Sequence, residues 1–202
     1  MRVLKILVLL IVLIIIAAVT AYYVLPSSVH VEQTIEMSAS PKAIFEEVNN
    51  LKNWENWGPW INMDTAMIQS YEGTADGGIG MIRKFKSNNK DVGIGEMEII
   101  ESRPYEFIKN ELRFGPNKNN TGYGSWTFEP IGENTKVTWA FDAEMNGIVR
   151  FFAPAMDQMM SPIFQQGLDN LKILAESKPK IEISNESLSR RPLTGCRCEH
   201  RP

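Results

Sequence analysis

Between Lys5 and Pro26 the chain carries no charged side chain, and residues 6–24 read ILVLLIVLIIIAAVTAYYV. At about 1.5 Å of rise per helical residue, roughly 20 apolar residues cross the ~30 Å hydrocarbon core of a bilayer. Such a helix has no polar face to turn toward water, so it constrains everything that follows it. Residues 6–25 are predicted to be a single transmembrane anchor. Arg2 and Lys5 precede it, and the first charge after it is Glu32. The positive-inside rule therefore leaves residues 1–5 in the cytosol and the rest of the chain on the extracytoplasmic side of a cytoplasmic (inner) membrane. Tyr22 and Tyr23 suit the interfacial belt, where a ring is apolar on its body and polar at its tip. A secretory h-region runs about 7–15 residues, shorter than this one, which favours a retained anchor. Val19-Thr20-Ala21 has the small residues a signal peptidase accepts, so cleavage stays open.

The 202 residues then divide into a linker at 26–28, one domain at 29–178 and a tail at 179–202 expected to be disordered. In the domain Val29, Val31, Gln33, Ile35 and Met37 alternate with polar residues, which is the period of a half-buried strand. Ser40-Pro41 opens a helix that carries Ile44, Phe45 and Val48 on one side. A short helical turn follows through 51–57, and Gly58-Pro59-Trp60 is expected to break it. Strands are expected at 67–72, 80–87, 93–102, 105–114, 123–130 and 135–145, separated by short Gly- and Asn-rich turns that make neighbours antiparallel. The period then changes. Phe152, Met156, Met159, Met160, Ile163, Phe164, Leu168, Leu171 and Leu174 fall at helical steps, with Pro162 inside the stripe.

Composition removes several classes of function. A net charge of −3 argues against nucleic acid as a partner, and the basic run 83–86 reads as solvated strand positions. The two cysteines, Cys196 and Cys198, lie in the tail, so the domain holds itself without a disulfide. Cys196-x-Cys198-x-His200 lacks the spacing and number of ligands of a structural zinc site, and no metal or cofactor is expected. His30 and His200 are the two histidines, and neither can join a Ser-His-Asp or Cys-His arrangement inside the domain. The carboxylates Glu96, Glu98, Asp142 and Glu144 fall on the predicted outer, solvated face. The Gly77-Gly78-Ile-Gly80 and Gly93-Ile-Gly95 stretches lack the context of a dinucleotide fingerprint and read as turns.

Alternation instead predicts an interior of large, soft groups. Met81, Phe85, Met97, Leu112, Phe114, Trp126, Phe128, Trp139 and Phe141 point toward the last helix, which returns Met156, Met159, Met160 and Phe164. Ten methionines and five tryptophans make an adaptable apolar surface that serves equally as ordinary core or as the lining of a ligand cavity. The loop residues Trp54, Trp57 and Trp60 either cap that core or cover a cavity mouth.

The segments 40–48, 54–60, 93–97, 124–130, 135–139 and 167–172, taken in order, resemble the SRPBCC superfamily, in particular its polyketide cyclase/dehydrase and lipid-transport branch, related to START and birch-allergen-like domains. The resemblance implies an α+β helix-grip fold, a curved antiparallel sheet wrapped around a long C-terminal helix, and membrane-tethered bacterial members fit the anchor ahead of it. It also implies a cavity for a hydrophobic or amphipathic, lipid-like molecule. The ligand-binding residues expected on that basis are Trp60, Met81, Phe85, Met97, Leu112, Phe114, Trp126, Trp139, Phe141, Met156, Met160 and Phe164. Cyclase or dehydratase chemistry in the same cavity and a non-enzymatic envelope scaffold stand as alternatives. Some relatives continue into a second, effector-binding module, whose first strand residues 180–186 resemble.

Overall fold

A computed structural model describes residues 2–118, 120–145 and 147–178, with the side chain of Ile148 excepted. The expected tail, the two cysteines and the start of any second module lie outside the described residues. Helix α1 (Arg2–Val24) buries none of its residues and is long and apolar enough to cross a membrane. An N-terminal signal sequence can meet the same criterion of length and composition as a membrane span.

Seven strands follow: β1 (Ser28–Met37), β2 (Ile68–Glu72), β3 (Ile82–Lys86), β4 (Ile94–Arg103), β5 (Phe107–Phe114), β6 (Asn120–Ile131) and β7 (Asn134–Glu144). They form one sheet in the order β1-β7-β6-β5-β4-β3-β2, every neighbouring pair antiparallel. Strands β2 to β7 are a meander, because short turns leave each strand nowhere to pair but beside its predecessor. β1 returns to the far edge against β7, in register from Ser28 opposite Glu144 to Met37 opposite Thr135. Between β4 and β5 the register shifts at Ile99/Glu101, a bulge that bends the sheet.

Helix α2 (Pro41–Asn49) begins as its sequence requires. The Ser40 hydroxyl accepts from the Ala43 amide at 3.3 Å, Pro41 occupies the first turn, and Ile44, Phe45 and Val48 are buried. Gly58-Pro59-Trp60 does more than break a helix. A 3-10 turn (Asn53–Glu55) precedes it, and Pro59 opens a new helix α3 (Pro59–Met63), since its fixed φ is already helical and its missing amide is one the first turn leaves unbonded. A second 3-10 segment (Gly147–Phe152) leads into α4 (Ala153–Ser177), which contains Pro162 and packs on β1, α2 and α3.

Phe152 and Met159 depart from the expected inward stripe: they are 59% and 60% exposed. Phe152 still belongs to the 3-10 segment, whose three-residue turn falls out of step with the α-helix behind it. Met159 lies about 100° around the helix from Met160, so the two cannot share the sheet-facing side.

The core gathers at the closed end of this grip. Trp126 and Trp139 stack with centroids 4.4 Å apart, and Phe164 from α4 stacks on Trp139 at 4.1 Å. Trp54 and Trp57 meet them edge-on and both are buried, so they pack into the core rather than cover a mouth, with Trp54 also forming part of the cavity wall. α4 comes this close because of Gly167, where a Cβ would stand 2.8 Å from Trp139 Cζ3 and 2.9 Å from Pro59 Cδ.

Candidate functional site

Between the sheet and α4, bounded by Trp139 of the stack, lies a cavity of about 620 Å³. Strand register explains its walls. Residues opposite each other in antiparallel pairs share a face, so one inner row runs Arg83–Met97–Leu112–Gly122–Ala143–Val29 across six strands. Glycines make part of the space. A Cβ at Gly122 would lie 2.5 Å from the Phe141 ring, whereas at Gly124 it would meet the nearest atom, Leu112 Cδ1, at an ordinary 3.5 Å.

Of the residues expected at the site, Phe85, Met97, Leu112, Phe114, Trp139 and Phe141 line the cavity from the sheet, and Met156, Met160 and Phe164 line it from α4. Trp60 joins them from α3, packing edge-on against Trp139 at 5.6 Å. Met81 and Trp126 do not reach it. Both are fully buried: the sulfur of Met81 accepts from the Leu51 amide at 3.3 Å, and Trp126 is covered by its stack with Trp139.

Two polar side chains of the wall were not expected there. Arg83, which the basic run suggested was solvated, is 3% exposed and lines the cavity. The reason is the pleat, since Arg83 sits between Met81 and Phe85 on the inner face while Ile82, Lys84 and Lys86 alternate outward. Its Nε donates to Gln69 Oε1 at 2.7 Å. Burial pushes its guanidinium below the usual arginine range, opposed by the nearby Tyr71 and Glu55. Asn110, on β5 between Ile108 and Leu112, is 1% exposed and also lines the cavity. Its Nδ2 lies 3.5 Å from Met97 Sδ, and its Oδ1 is buried without a partner. Alternation was the signal for both, read through a polar side chain instead of an apolar one.

The exposed lining residues Lys90, Asp91, Asn120, Glu144 and Val149 mark the mouth, formed by the β3–β4 loop, the start of β6, the end of β7 and the second 3-10 segment. α1 leaves the domain at this same end. Arg150 Nε donates to the Leu25 carbonyl at 2.9 Å, the Arg150 guanidinium lies 5.1 Å from the Tyr22 ring centre, and Phe151 stands 6.4 Å from that ring. Val149, Phe151, Phe152 and Met159 expose apolar surface around it.

The outer-face carboxylates are occupied elsewhere. Glu96 is not solvated, because Arg113 at 2.7 Å and Lys118 cover it. Burial raises its carboxyl, but the hydrogen bonds from Lys118 and Arg113 outweigh burial and hold it below the ordinary 4.5. Glu98 meets Arg113 at 2.6 Å. Asp142 meets His30 at 2.7 Å on the outer face, and that hydrogen bond raises the imidazole above 6.5. Glu144 lies at the strand's exposed end, on the mouth. No histidine lines the cavity among the described residues, and none of their His, Cys, Asp and Glu side chains group to hold a metal ion.

The family model described as polyketide cyclase/dehydrase and lipid transport matches residues 28–176. Among solved structures, the chain is similar to a Chromobacterium violaceum protein (TM-score 0.53, 16% identity, 76% of this chain and 99% of that one). It is also similar to a Rhizobium leguminosarum protein (0.52, 18%, 75% and 98%). A third is norcoclaurine synthase from Thalictrum flavum, solved in complex with dopamine and hydroxybenzaldehyde (0.55, 14%, 76% and 90%). At these identities the likeness is one of fold. No curated protein matches the sequence.

Proposed function

The chain belongs to the polyketide cyclase/dehydrase and lipid transport family, and from that premise we propose that its domain, residues 29–178, binds a hydrophobic or amphipathic, lipid-like molecule in the cavity while α1 holds it at a membrane. The observation that carries this reading is a cavity of about 620 Å³, walled by Met, Phe and Trp and opening where α1 leaves the domain. Its volume falls within the ~300–1,000 Å³ typical of small-molecule sites, and its two buried polar side chains, Arg83 and Asn110, flank Met97 in an otherwise apolar wall.

α1 supports the membrane half of the reading. Its span suits a bilayer, and Arg2 and Lys5 orient it with residues 1–5 in the cytosol and the domain on the extracytoplasmic side. The linker, residues 26–28, adds little more than about 10–15 Å of reach. Val149, Phe151, Phe152 and Met159 then meet the headgroup region beside the mouth, so a ligand passes between bilayer and cavity without a journey through water.

The test is the mass spectrum of what leaves with the protein. The full chain, extracted from membranes in mild detergent, should carry a stoichiometric lipid-like molecule. Gly124→Leu, which narrows the cavity at a position with room for a Cβ, should carry less of it. Empty wild-type protein that takes up no added amphiphile would refute the reading.

A further inference from the structure

Arg83 is the one fully charged group inside the cavity's apolar wall, and its charge has no anion beside it. Its Nε is satisfied by Gln69, but among the described residues Nη1 and Nη2 make no hydrogen bond and the side chain makes no ion pair. Glu55 and Tyr71 act on it only through space. Glu55 is exposed and receives the Tyr71 hydroxyl at 2.5 Å. A buried guanidinium without a counter-ion is costly, and a planar fork with two free nitrogens is the shape that a carboxylate satisfies bidentately.

Asn110 adds a second buried polar side chain at the same place, which marks this part of the wall as polar. Arg83 stands opposite Met97 across β3 and β4, and Asn110 reaches the Met97 sulfur from β5, so the two polar groups flank Met97 on the cavity floor. The orphan Oδ1 of Asn110 is buried in a side chain that lines the same space. Around them the wall is apolar: Phe85, Leu112, Phe114, Phe141 and Met160.

We infer that the ligand is a single-chain amphipathic acid, its carboxylate paired with the free guanidinium nitrogens of Arg83 and its apolar body against the Met and Phe wall, with Asn110 Oδ1 left to accept from any donor the ligand carries. This inference rests on the cavity-binding reading and narrows it to one chemical class. An uncharged chain of the same length would leave the guanidinium unpaired, so the cavity discriminates acid from alcohol.

The experiment offers dodecanoate and dodecanol, at equal concentration and pH 8, to the full chain in an uncharged detergent, and counts bound molecules by native mass spectrometry. Wild-type protein should prefer the acid by about tenfold or more, the scale of a hydrogen bond to a charged group. Arg83→Gln should lose the preference for the acid, and its thermal unfolding transition shows whether it folds. Arg83→Lys, which keeps the charge, should keep part of the preference. Equal uptake of both probes by wild type, or an undiminished preference in Arg83→Gln, overturns the assignment while leaving cavity binding intact. Uptake of neither probe overturns the cavity-binding reading itself. The wild-type comparison stands even where a variant does not fold.

Discussion

Glu96 and Arg83 show how a charged residue's fate turns on its partners rather than its type. They lie one residue out of register on neighbouring strands, since Lys84 faces Glu96 and Arg83 faces Met97. Glu96 therefore points outward into Arg113 and Lys118, and Arg83 points inward into the cavity. Both are buried, but only Glu96 has its counter-charges. Its folded-state pKa lies below the ordinary 4.5, so its contribution to stability is present above that value and is lost as pH falls through the folded pKa. Glu96→Gln should reduce the acid-side slope of stability and cost about 1.5–3 kcal/mol at pH 7, toward the lower end because Lys118 is half exposed and Arg113 keeps Glu98 and Glu111. Chemical denaturation from pH 7 down to pH 3 checks it. An unchanged slope would mean that the outer cluster is solvated after all.

At the scale of elements, the closed end of the grip depends on the approach of α4 to the sheet. Gly167→Ala puts a methyl group within 3 Å of both Trp139 and Pro59, neither of which is the free end of a flexible chain. The helix must shift, at a cost of about 1–3 kcal/mol despite alanine's better helix propensity, and a fall in Tm measures it. The elements themselves were legible in the sequence, because period-2 alternation and helical stripes are what burial on one face writes into a chain. The ends of elements were less so. Pro59 is both a breaker and a helix starter, and which role it takes depends on Trp60 finding Trp139 and Phe164 across the core. The cavity was legible as a set of large apolar residues, yet nothing local told lining from core. Met81 and Trp126 share the pleat of the liners, but they sit where the wall is already closed by Leu51 and by the Trp139 stack. Arg83 and Asn110 went unread for the opposite reason, since their polarity masked their place in the alternation.

In the whole molecule, an apolar helix that suits a bilayer is joined to a domain whose cavity opens where that helix ends. The five tryptophans, Trp54, Trp57, Trp60, Trp126 and Trp139, all belong to the domain, and α1 contributes only Tyr22 and Tyr23 near its exit. Trp54, Trp60 and Trp139 line the cavity. Tryptophan emission therefore reports on the cavity and not on the span. The most direct measurement places the full chain in phosphatidylcholine bilayers and adds a single-chain fatty acid whose carbons carry bromine, a short-range quencher. Tryptophan emission should fall in the wild-type protein and fall less in Gly124→Leu, where the cavity is narrowed. Emission that is unaffected by the brominated acid in the wild type, or quenched equally in the narrowed variant, would contradict a cavity that takes its ligand from the bilayer.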